Sequence, residues 1–137
     1  MRLGEAATTR LDTWAGSLQT AHERWQYVPG GTKMHFVVLG THSAEVCPTS
    51  NAKTKALLLE IGPQIANIAE KHGVTIVAGP YANREHMVVT IVETDRADAL
   101  DSFVVDSRLS QWNQVRILPS VPMQQAMQEL QESASIF

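Results

Sequence analysis

The stretch His42-Ser43-Ala44-Glu45-Val46-Cys47-Pro48 places an imidazole, a carboxylate and the chain's only thiol within six positions. Such groups move protons, attack electrophilic carbon or hold soft metals near neutral pH. A second histidine, His86, opens another apolar run. Three uses of these residues compete. In the first, His42 or His86 is the general base or acid acting on a small organic molecule. Glu45 then orients a histidine, and Cys47 lines the site or attacks once a neighbouring imidazolium lowers its pKa. In the second, His42, Glu45, Cys47 and His86 hold zinc, iron or copper, which take these donor types. The spacing His42-x2-Glu45-x-Cys47 permits chelation by a bent loop but matches no known signature. In the third, the histidines pair at a strand edge, Cys47 is a small buried hydrophobe, Glu45 is solvated, and the protein serves structure or assembly without catalysis.

The elements that must position these residues follow from the hydrophobic pattern. Residues 35–42 are β-branched and apolar over a short run, which predicts a buried strand. A polar loop, 43–51, comes next. Leu57, Leu58, Ile61, Ile65, Ile68 and Ala69 then recur at helical spacing up to His72-Gly73, where Gly73 suits a left-handed C-terminal position. Pro63 should kink this helix or split it in two. Residues 74–78 predict a second strand closed by Gly79-Pro80, residues 81–85 a turn, and residues 86–92 a third strand. Asp95 can cap a helix that buries Ala99, Leu100, Phe103 and Val104. Residues 112–118 predict a fourth strand stopped by Pro119. After Pro122, Met123, Met127 and Leu130 stripe a last short helix, with the methionines expected as core filler.

This order is α+β: the split βαββαβ arrangement of ferredoxin-like folds, with one further C-terminal helix. The third strand should slot between the first two, antiparallel to both, with helices on one face of the sheet. Two histidines 44 positions apart, His42 at the end of strand one and His86 at the start of strand three, are then expected side by side. The loop carrying Glu45 and Cys47 should reach the same edge, as should Tyr81 and Trp112, which would give a pocket its apolar contacts. On strand three, Met87, Val89 and Ile91 are expected to face the helices, and His86, Val88, Thr90 and Val92 the other side. That second apolar face predicts a homodimer packed sheet against sheet.

Element order over residues 34–133 resembles the dimeric α+β barrel superfamily. So does the run Val115-Arg116-Ile117-Leu118-Pro119-Ser120-Val121 leading into a terminal helix. That superfamily includes antibiotic-biosynthesis monooxygenases, muconolactone isomerases and stress-responsive barrel proteins. The segment Glu45-Val46-Cys47-Pro48 is similar to the acidic-x-Cys-Pro segment that follows the first strand in small uncharacterised members. The resemblance implies a homodimeric barrel with a ligand-sized cavity between sheet and helices. It implies no single reaction, because the fold hosts many.

Composition narrows the remaining classes. The chain has 137 residues, 44% of them hydrophobic, enough for one domain with a real core, assigned to 34–137. Residues 1–33 form a leader in which Leu11, Trp14, Leu18, Ala21 and Trp25 recur at helical spacing. It is either a helical extension or the product of a mis-assigned start, with Met34 the true one. A net charge of -3 gives no basic footprint for nucleic acid or an anionic membrane. No apolar run approaches the ~20 residues that span a bilayer. One cysteine forms no internal disulfide, and a cytoplasmic location is expected. Neither G-x-G-x-x-G nor G-x-x-x-x-G-K-[ST] occurs, so no nucleotide cofactor is expected. His72 is expected to favour a helix C-terminus, and Asp98, Asp101 and Asp106 to lie on a solvated face.

Overall fold

A computed structural model describes residues 33–137; the expectations for the leader lie outside the described residues. The element order is β1 (Met34–Thr41), α1 (Ala52–Ile61), a 3-10 turn (Gly62–Gln64), α2 (Ile65–Lys71), β2 (Thr75–Ala82), β3 (Met87–Thr94), α3 (Asp98–Asp106), a second 3-10 turn (Leu109–Gln111), β4 (Gln114–Ser120) and α4 (Met123–Glu132). The fold is ferredoxin-like, βαββαβ with a C-terminal helix. Local chemistry accounts for most boundaries. Asn51 starts α1 by accepting from the amides of Lys53 and Thr54 at 3.0 and 3.1 Å. Pro63 cannot donate to the helical ladder, and the helix splits around it into α1 and α2. Gly73, at φ 68°, ends α2 in the left-handed conformation that glycine adopts without steric cost.

The strands form one antiparallel sheet in the order β2-β3-β1-β4. Strand β3 lies between β1 and β2 and is antiparallel to both. The core joins Phe36 and Val38 of β1 and Val92 of β3 to Ala69 of α2 and to Ala99, Leu100, Phe103 and Val104 of α3. Leu100 and Val92 are among its most enclosed side chains. Burying each contributes about 1.5–3 kcal/mol.

The faces of β3 are the reverse of the expectation. Thr90, Val92 and Thr94 are buried on the helix side, whereas Met87, Val89 and Ile91 stay half-buried on the open side. The register is the reason. Val92 sits opposite Phe36, and Thr90 opposite Val38. On β1 the buried residues alternate cleanly, so β1 decides which parity of β3 meets the helices. Strand β3 is apolar at both parities, and its own pattern carries no such choice.

Other boundaries also move. Strand β4 begins at Gln114 and not at Trp112, and it runs through Pro119, which pairs opposite Phe36. An edge strand tolerates the proline because one row of its amides is unpaired in any case. Asp95 does not cap α3: the helix starts at Asp98 without a side-chain cap, and the amide of Arg96 donates to the Thr94 hydroxyl. No residue of α4 is buried, and Met123 is 75% exposed, so the core-filler expectation for Met123 and Met127 is corrected. The helix side of the sheet is already closed by α2 and α3. Among the described residues, no helix is long and apolar enough to cross a membrane.

Candidate functional site

The antiparallel pairing of β1 with β3 brings Thr41 opposite Met87. One step further, the amide of His42 donates to the carbonyl of His86 at 3.0 Å. The two imidazoles meet edge to face, with ring centroids 5.3 Å apart and an interplanar angle of 74°. His86 holds this position at φ 55°, in the left-handed region. A non-glycine residue is uncommon there, and histidine is one of the few types that tolerate it. Such backbone persists where the surroundings over-determine it, often at functional sites.

Cys47 arrives from the β1–α1 loop, which is pinned by its own hydrogen bonds. The amides of Ser50 and Asn51 both donate to the Cys47 carbonyl, at 2.9 and 2.8 Å. The Asn51 side chain, besides capping α1, donates to the carbonyl of Glu45 at 3.1 Å. Cys47 is buried, and its Sγ lies 3.1 Å from the Thr49 hydroxyl. The Thr49 hydroxyl, then the Thr49 amide, hold the thiol below its ordinary pKa; burial opposes them, and His86 adds a smaller push in the same direction. The thiolate is the form that binds metals and attacks electrophiles.

One ligand atom each from His42, Cys47 and His86 lie within 4.8 Å of one another. These atoms come from a strand end, a loop and a strand start. Trp112 packs a buried ring against His42, with centroids 4.9 Å apart.

Asn113 belongs to this cluster and was not singled out from sequence. Its side-chain amide nitrogen donates to the carbonyl of Leu109 at 3.1 Å, which leaves Oδ1 as the acceptor facing Nδ1 of His42 at 2.9 Å. In its neutral form His42 therefore carries the proton on Nδ1 and offers a lone pair at Nε2. Gly40 makes the space: a Cβ there would stand 3.0 Å from Cγ of Asn113. Thr49 was missed as well. Its signal was its place two residues after the cysteine; Asn113 had none beyond following Trp112.

Two expected members lie elsewhere. Glu45 is exposed and is not in the group of ligand atoms around Cys47. The support expected from Glu45 for a histidine comes from Asn113, because the pinned loop turns Cys47 inward and leaves residues 43–45 at the surface. Tyr81 is 62% exposed and sits opposite Val89, inside the sheet's edge strand rather than at the cluster. Two open grooves, of about 480 and 550 Å³, lie at the far end of the sheet. The first is bounded by Ala69, Gly73 and Ile76, the second by His35, Phe36 and Pro119. Neither touches His42, Cys47 or His86.

No family model, curated protein or solved structure matches this chain. The chemistry of the cluster therefore has to be read from its own donors: two imidazoles, one with its tautomer set, and one thiol with a lowered pKa.

Proposed function

We propose that this protein binds a thiophilic transition metal, zinc in the first place, through His42, Cys47 and His86. The observation that carries the reading is the convergence of these three ligand atoms within 4.8 Å from three separate segments. Zn–N bonds of about 2.0–2.1 Å and a Zn–S bond of about 2.3 Å put tetrahedral ligand atoms roughly 3.4–3.6 Å apart. Closing the cluster by at most about 1.4 Å lies within side-chain adjustment. The Nδ1–H of His42 donating to Asn113 is the outer contact that ligating histidines use to fix ring and tautomer. Glu45, offered as a fourth ligand by the sequence, is left out of the set. A reducing cytoplasm would keep Cys47 from oxidation and so available to a metal. The test is a zinc titration of the full chain against a chromophoric chelator. One equivalent should bind in the wild type, with loss of at least tenfold in affinity in Cys47→Ala and in His86→Ala. Equal affinity in all three would end the metal reading.

The lowered thiol pKa of Cys47 beside His86 favours a second reading, metal-free acid–base or nucleophilic chemistry on a small organic molecule. Its signature is saturable alkylation of Cys47 that zinc does not slow.

The resemblance to dimeric α+β barrels adds an assembly. On the open face Val37 and Leu39 of β1, Val89 and Ile91 of β3 and Leu118 of β4 are all half-buried in the single chain and lie in register. A second copy of the chain, sheet against sheet, is the cover we propose.

A further inference from the structure

Among the described residues the donor set around Cys47 stops at three. Two carboxylates are near in sequence, Glu45 in the loop before Cys47 and Glu85 in the turn before His86. Both are exposed, and neither belongs to the group of ligand atoms. On the protein side the first shell is already surrounded by groups that do not ligate. Trp112 covers the His42 ring and has only an N–H donor. Asn113 has its oxygen on Nδ1 of His42 and its nitrogen on the Leu109 carbonyl. The Thr49 hydroxyl is spent on Sγ of Cys47. Cys47 is buried, whereas His42 and His86 are only half-buried, and the segments that precede Cys47 and His86, residues 43–45 and 83–85, are exposed.

Resting on the metal reading above, we infer that the bound metal keeps a fourth position open toward the solvent at this end of the sheet, and that a small anionic donor exchanges there with water. Closed structural zinc sites use four protein ligands, while ligand-exchanging sites use three and leave one position for water or an incoming molecule. The exchange is a substitution: azide or a similar anion forms a bond to the metal, the bound water leaves, and nothing is oxidised or reduced. The ligand class follows from the centre, a dication neutralised only once, by the Cys47 thiolate, and so left with net positive charge.

The experiment uses the full chain loaded with cobalt(II), with sodium azide as the probe. The visible ligand-field bands should shift saturably with azide, return on dialysis, and do the same in His22→Ala. Bands that ignore azide while cobalt stays bound with a thiolate-to-metal charge-transfer feature would overturn the inference and leave the metal reading standing. A response that appears only in His22→Ala would also overturn it, since a histidine of the leader would then fill the fourth position. Failure of cobalt to bind at all would overturn both readings.

Discussion

Asn113 orders His42: its Oδ1 accepts from Nδ1 of His42 at 2.9 Å while its amide nitrogen is tied to the Leu109 carbonyl. The contact decides which imidazole nitrogen of His42 keeps a lone pair for a metal. Asn113→Ala should therefore weaken zinc binding about 10–100-fold. Asn113→Asp keeps the acceptor and should recover most of that loss. Gly40→Ala should act in the same direction as Asn113→Ala, because the new methyl presses on the Asn113 side chain. Chelator competition reads all three; unchanged affinity in Asn113→Ala would show that the contact is only structural.

His86 carries a conformational cost at φ 55°, as the last residue of the turn that joins β2 to β3. His86→Gly relieves that strain and removes the imidazole. Its metal-free stability should stay within about 1 kcal/mol of wild type, because the relief is offset by the greater freedom of glycine in the unfolded chain. Its metal affinity should fall at least tenfold. Leu100→Ala, in the core, should instead cost about 2–5 kcal/mol. Denaturant titrations with and without zinc separate the two behaviours. A large loss of metal-free stability in His86→Gly would mean that the ring is a packing element.

The fold and the pairing of His42 with His86 could be read from sequence because each rests on long, repeated signals. Apolar runs of strand length, a proline and a glycine in the first helical segment, and the order of elements leave one simple topology. Only the strand-to-strand register could say which face of β3 is buried, since Val88 to Val92 are apolar at both parities apart from Thr90. Asn113 could not be foreseen because its role depends on a missing side chain at Gly40, whose partner across the β1–β4 pair is Val115, two residues beyond Asn113. Glu45 looked like a ligand by spacing alone. The hydrogen bonds of Ser50 and Asn51, which turn Cys47 inward, have no spacing signature.

At the opposite flank, Asp106 accepts from His72 at 2.7 Å and from Lys71 at 3.1 Å. The contact to His72, then that to Lys71, holds its carboxyl below the ordinary value of 3.8. A depressed folded-state pKa stabilises the fold above the unfolded-state value, and the contribution is lost as pH falls through the lowered one. The stability difference between wild type and Asp106→Asn should thus be fully present at pH ~5, above the ordinary carboxylate range. It should shrink in acid. Thermal melts across that range check it; a difference that grows in acid would reverse the sign.

The open sheet face predicts a dimer at micromolar concentration by light scattering. Val89→Lys places a charge at the centre of that face and should yield monomers with the fold intact by circular dichroism. A wild-type chain that is already monomeric would contradict the proposed assembly without touching the metal cluster.

Zinc-edge X-ray absorption on the loaded full chain reads the atoms bound to the metal and their distances. It should show one sulfur at about 2.3 Å and two imidazole nitrogens at about 2.0–2.1 Å, with a remaining light donor. The sulfur should vanish in Cys47→Ala. A shell of oxygen and nitrogen alone in the wild-type protein would mean that Cys47 does not hold the metal.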